Sequence, residues 1–146
     1  MASITQKAYG TIVSALTTEL NSIAAAASSA ASSAQDNTTL LDLFDDLELT
    51  VDFVSAPAAG GYVSVFLLPS VDGTNYADGS ASVPPQGALL ACAIEVQAAT
   101  TAQRLCAQNV AIPPGLFKYM VTNNTSQAFP ASGSILKRRP HSLTVA

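Results

Sequence analysis

A chain of 146 residues is long enough for one domain with a sizeable core, yet only 11% of its residues are charged, against roughly 25% in an ordinary soluble domain. The net charge of −4 excludes a general attraction to phosphate backbones or anionic lipid, so neither nucleic acid nor a membrane is the expected partner. With 26 alanines behind a hydrophobic fraction of 49%, the surface must be covered by Ser, Thr and Ala or by another protein.

Residues 1–10, MASITQKAYG, are small and polar, lack the layout of an export signal, and read as an N-terminal arm ahead of a single domain over 11–146. No apolar run reaches the 18 residues of a membrane span, so a soluble protein that is not exported is expected. In 11–34, Ile12, Leu16, Leu20 and Ile23 recur at helical spacing among good helix formers. Thr11, Thr17, Thr18 and six serines compete for the backbone and oppose a helix. Helix and strand both stay open here.

After the turn signal Asp36-Asn37 the chain alternates. Leu47, Leu49, Val51 and Phe53 face one way and Glu48, Thr50 and Asp52 the other, which predicts a strand with one wet face, ending at Pro57. The next strand, Tyr62 to Leu68, has two apolar faces: Val63, Val65 and Leu67 on one, Tyr62, Phe66 and Leu68 on the other. Burial between two layers or two subunits fits that pattern, with Tyr62, Phe66 and Leu68 as candidate subunit-packing residues. The loop from Pro69 to Gly79 carries Asp72-Gly73, Asn75 and Asp78-Gly79, the densest turn chemistry in the chain.

Leu89–Gln97 and Gln103–Ile112 read as strands joined in a hairpin. If Cys92 lies opposite Cys106 in that pairing, the two are close enough to bridge, although two small buried thiols are the expected state. Pro113-Pro114-Gly115 is a corner before a strand over 116–123 with Phe117, Tyr119 and Val121 on one side; 134–138 and 142–145 are the last strands. Strands every 10 to 20 residues with turns between them predict an all-β fold, an antiparallel β-sandwich or barrel.

Chemistry is sparse. Asp72, Asn75 and Asp78 lack the EF-hand order, and Val83 stands where the bidentate acid would be, so they read as turn formers and no metal or other cofactor is expected. Asp45 and Asp46 are neighbours on a strand and point to opposite faces, which rules them out as paired glycosidase acids. His141 lies far along the chain from any marked nucleophile, and no catalytic set is expected. Asn37-Thr38-Thr39 and Asn124-Thr125-Ser126 match the glycosylation pattern, which means little without an export signal.

The runs DNTTLLDLFDDLELTV, YVSVFLLPSVDGTNYADG and AQNVAIPPGLFKYMVTNNTSQAFPASGSIL, taken in that order, resemble the small virion proteins of tailed bacteriophages that decorate or cement the capsid. The likeness covers about residues 11–136 and rests on the order and spacing of the motifs. It implies a jelly-roll β-sandwich in which 11–34 is strand, present as a homo-oligomer, often a trimer, on the outer capsid surface of the virion after synthesis in the host cytoplasm. The implied partner is the major capsid protein, and the role is structural, with no enzyme activity. Exposure and charge make Lys7, Tyr9, Asp72, Asn75, Tyr76, Asp78, Lys137, Arg138 and Arg139 the candidate capsid contacts. A head-fibre or tail-associated virion protein, or a carbohydrate-binding sandwich at the host surface, is the alternative.

Overall fold

The alternation that begins at Phe44 produces β4 (Phe44–Val51), whose residues are buried at every second position. Around it the chain forms β1 (Ile4–Gln6), β2 (Val13–Leu16), β3 (Gln35–Asp36), β5 (Tyr62–Pro69), β6 (Leu90–Glu95), β7 (Gln103–Ala111), β8 (Leu116–Asn124), β9 (Ile135–His141) and β10 (Leu143–Val145). The computed structural model describes residues 4–6 and 8–145.

Two antiparallel four-stranded sheets face one another, one in the order β2-β9-β4-β7 and the other β3-β8-β5-β6, with β1 and β10 forming a separate two-stranded ribbon. The predicted all-β sandwich is therefore the fold. The pairs β2 with β9, β3 with β8, β4 with β7 and β5 with β6 are nested in sequence and fall alternately in the two sheets. The chain thus pairs with itself as one long ribbon, and its turning point is the loop after Pro69.

Leu47, Leu49 and Val51 meet Val63, Val65, Leu67, Phe117, Tyr119 and Val121 between the sheets, so the parities expected for β4, β5 and β8 hold. Phe53 and Phe129 close one end of this core edge to face, 5.7 Å between ring centroids. Burying one such side chain contributes about 1.5–3 kcal/mol.

The second apolar face of β5 is covered by this chain itself. Phe66, Leu68 and Met120 form a small cluster capped by Ala31, Tyr76, Ala77 and Leu89. Phe66 and Leu68 thereby lose the role of subunit-packing residues, because the loop after β5 has already removed them from solvent, while Tyr62 stays exposed. Gly79 is the point of closest approach: a Cβ there would lie 2.9 Å from Met120 Sδ and 3.1 Å from Leu68 Cδ1.

Two local expectations are corrected. Leu90–Glu95 and Gln103–Ala111 do not make a hairpin: β6 pairs with β5 and β7 with β4, in different sheets. The buried Gln103 side chain holds the crossing, accepting from Gln97 N–H at 2.9 Å and donating to Gln97 O at 2.9 Å and Ala99 O at 3.3 Å. Cys92 consequently pairs with Val65 and Cys106 with Glu48; both thiols are free, Cys92 half-buried and Cys106 exposed rather than buried.

Residues 11–34 contain β2, a single 3₁₀ turn at Thr18–Leu20 and then extended chain, so the helical spacing of Ile12, Leu16, Leu20 and Ile23 is not realised as a helix. Left-handed backbone at Ser22 (φ 56°) and Ala26 (φ 59°) interrupts it. From Ala26 onward the segment runs along β8 in place of a regular edge strand, with Ala26, Ser29 and Ser32 donating their N–H groups to Asn123, Val121 and Tyr119 carbonyls.

Candidate functional site

Two acids sit side by side on β4 with opposite fates. Asp45 shares its parity with Leu47 and Leu49 and points between the sheets, fully buried, whereas Asp46 and Glu48 point outward. An ionised carboxylate among apolar side chains requires a partner. β9 supplies it, because Arg138 shares its parity with Leu136 and is also buried.

Arg138 Nη2 donates to Asp45 Oδ1 at 3.0 Å, and Nε lies 2.9 Å from Oδ2. The Tyr119 hydroxyl, from the opposite sheet, donates to the same carboxylate. Gln35 Oε1 accepts from Arg138 Nη1 at 3.3 Å, and the guanidinium carbon stands 5.3 Å from the Phe117 ring centroid. β3, β4, β8 and β9 are thereby joined by a single polar cluster spanning the core.

Burial raises the Asp45 carboxyl above its ordinary value against the pull of the Tyr119 hydroxyl and Arg138. Burial likewise pushes the Tyr119 hydroxyl well above its ordinary value, and the Asp45 carboxylate adds to the push. Above pH about 10 the unfolded chain releases a tyrosine proton that the folded chain retains. The stability contributed by this hydroxyl is whole below that pH and falls as the pH rises towards the folded value. The Tyr119 ionisation signal near 295 nm, isolated by difference between wild type and Tyr119→Phe, is expected to appear only together with loss of the β-sheet circular dichroism; ionisation with the sheets intact would overturn this.

Arg138 is therefore withdrawn as an exposed contact residue: it is committed to Asp45 inside the sandwich. Its neighbours behave differently because a strand alternates faces. Lys137 is half-buried on the outer face with Nζ 3.2 Å from Glu48 Oε1, and Arg104 of β7 approaches Glu48 Oε2 from the other side at 3.5 Å. Arg139 is exposed, with its guanidinium carbon 4.4 Å above the Tyr9 ring. Tyr9 in turn meets His141 edge to face at 5.1 Å, and His141 stacks on Phe44 with Nε2 3.3 Å from Asp46 Oδ1. Lys7 lies outside the described residues.

The loop candidates form a second group on the far side of the sandwich. Asp72 Oδ1 accepts from the N–H groups of Asn75 at 2.7 Å and Thr74 at 2.9 Å, and Oδ2 accepts from Asn75 Nδ2 at 2.7 Å. These donors, Asn75 N–H first, hold the carboxyl well below its ordinary value, and they make the loop a tight turn, as expected. Asp78 is exposed, while the Tyr76 ring is half-buried and has Lys118 Nζ 4.3 Å over it. Asp72, Asn75, Tyr76 and Asp78 belong with the sheet containing β5, and Lys137 and Arg139 with the sheet containing β4, so the two groups are not brought together.

The glycosylation-type asparagines are both engaged. Asn37 is buried and its Nδ2 donates to Asp42 O at 2.8 Å and Pro113 O at 2.9 Å; Asn124 Nδ2 donates to Ser64 Oγ at 2.9 Å. Sequence reasoning missed the pairing of Asp45, Arg138 and Tyr119. The available signal was parity: an acid in phase with Leu47 and Leu49, and an arginine in phase with Leu136.

Around His141 the chain exposes apolar side chains. Leu43 N–H donates to His141 O at 3.2 Å, which places the run Leu40, Leu41 and Leu43 beside the start of β10. Leu40 is 61% exposed, Leu41 53%, Leu43 48% and Leu143 52%. Both ends of the described chain meet here in the β1–β10 ribbon. No protein-family model and no curated protein matches the chain.

Proposed function

We propose that the protein is a structural, non-enzymatic virion component of a tailed bacteriophage, a decoration or cement protein on the outer capsid surface that staples neighbouring copies of the major capsid protein. The observation that carries this reading is the apolar end of the sandwich, where Leu40, Leu41, Leu43 and Leu143 lie exposed beside the terminal ribbon. Four exposed leucines in a chain with so little charge are a surface that burial against another protein would stabilise. The capsid contact is assigned to this end together with Tyr9, whose ring lies against His141.

The jelly-roll form of the fold is supported by the strand orders 2-9-4-7 and 3-8-5-6 with their nested pairs. In a homo-oligomer, a trimer by the resemblance, each subunit would grip a different capsid protein, so modest contacts add through effective concentration. The sugar-binding alternative is weakened at Tyr76, whose face is already occupied by Lys118.

The test is addition of the purified protein to shells that lack it. Saturable binding and a higher temperature of shell disruption are expected, and replacing Leu41, Leu43 and Leu143 together with Ser is expected to weaken binding. Absence of binding by the wild type would overturn the proposal.

A further inference from the structure

The charged residues of this chain are distributed unequally between the two outer faces of the sandwich. On the sheet containing β4, a groove of about 400 Å3 is lined by Ile12, Glu48, Arg104, Cys106, Lys137 and Arg139, with Asp46 at its side. Four of the six Lys and Arg in the chain line it, and since Arg138 turns its guanidinium inward to Asp45, three of them, Arg104, Lys137 and Arg139, present their charge to the outer face. Against these three stand two acids, Glu48, shared between Arg104 and Lys137, and Asp46, which accepts from Asn109 N–H at 3.0 Å and lies beside His141, so the groove keeps an excess of one positive charge.

Elsewhere the balance reverses. Of the ten acids, Asp42 and Asp45 are buried, and six lie away from the groove: Glu19, Asp36, Asp52, Asp72, Asp78 and Glu95. The outer face of the sheet containing β5 holds three of them. Glu95 projects there because its neighbour Ile94 enters the core, and it stands across from the exposed Tyr62. Asp72 and Asp78 lie on the loop whose Tyr76 and Ala77 cover Phe66 and Leu68 on that same face. Lys118, the one base described on that side, lies over Tyr76 and leaves the three acids in excess.

We infer that the Arg104, Lys137 and Arg139 groove is the docking surface for a second copy of this chain, which presents its Asp78 and Glu95 face. Both halves of the contact are present in one molecule, and their charges are complementary. Because the two faces look away from each other, the contact joins unlike patches head to tail; it closes into a ring if the rotation between copies allows and otherwise extends. Such a contact is steered and held in register by charge and weakens as salt screens it.

Sedimentation velocity on the isolated protein tests this without shells, so its outcome is separate from that of the capsid proposal. Self-association is expected near 50 mM salt and a marked loss of it near 500 mM. Arg104→Glu with Arg139→Glu should weaken association about tenfold or more, and Asp78→Lys with Glu95→Lys should do the same. An equimolar mixture of the two reversed variants should associate again, since each then offers the charge that the other lacks. All four positions are exposed, and unchanged circular dichroism and melting verify the fold; Arg104→Gln with Arg139→Gln gives a milder loss in the same direction. A wild type that stays monomeric at low salt, reversed variants that associate like wild type, or a mixture that fails to recover would overturn the inference.

Discussion

Arg138→Met is expected to lower the stability of the folded chain by about 3–5 kcal/mol, measured by urea unfolding, a large share of the 5–15 kcal/mol typical of a domain. The loss comes from what remains. Asp45 is fully buried, and without the guanidinium it keeps the Tyr119 hydroxyl as its described donor. Removing both charges together should be far milder, because the original pair already carried a desolvation cost that offsets much of its attraction. The double variant Arg138→Met, Asp45→Leu should therefore recover most of the loss, and adding Tyr119→Phe removes the hydroxyl left without its acceptor. Lys137→Ala is the comparison: its partly exposed pair with Glu48 is worth about 0–1 kcal/mol. An Arg138→Met variant within about 1 kcal/mol of wild type would mean that the pair does not hold the sheets together.

The strands of the sandwich were legible wherever one face is wet and the other dry, as in β4, or wherever aromatic and β-branched residues alternate, as in β5 and β8. Their partners were less so. Leu90–Glu95 and Gln103–Ala111 look like a hairpin because they are close in sequence, but a short connection can also step from one sheet to the other. Here the Gln103 side chain supplies the hydrogen bonds that the crossing needs. The basic run of Lys137, Arg138 and Arg139 reads as one surface feature when charge alone is counted. Strand parity divides it into two outward side chains and one inward, and the inward one becomes part of the core. The apolar second face of β5 was visible as needing cover; that the cover is the chain's own loop depends on Gly79 allowing Met120 and Leu68 to approach, a packing fact that no local pattern contains.

Replacing Ser29 and Ser32 together with Ala is expected to cost about 2–5 kcal/mol, although each substitution removes a single hydroxyl from a segment already rich in Ala. The reason lies in a mismatch of periods. β8 repeats every two residues, while the segment beside it advances three residues for each two of β8, so Ala27 O still accepts from Asn123 N–H at 2.9 Å but no carbonyl of the segment is in register with the Val121 and Tyr119 N–H groups. Serine hydroxyls fill the vacant acceptor positions: Ser29 Oγ accepts from Val121 N–H at 3.0 Å and Ser32 Oγ from Tyr119 N–H at 2.9 Å. Each hydroxyl then donates to the following carbonyl, Ala30 O at 2.7 Å and Ser33 O at 2.6 Å. Tyr119 and Val121 are fully buried, so water cannot replace the lost acceptors. Ser33→Ala, at an exposed position, should be near neutral. Hydrogen exchange adds a local readout: in the double variant the Tyr119 and Val121 amides should exchange faster by more than the global loss of stability predicts. Unchanged protection at both amides would show that the hydroxyls are not their acceptors. The same geometry accounts for particular residues of this stretch: Ala31 packs against the Phe66 cluster, where a longer side chain would press the segment away from the sheet, and Ser29 and Ser32 complete β8.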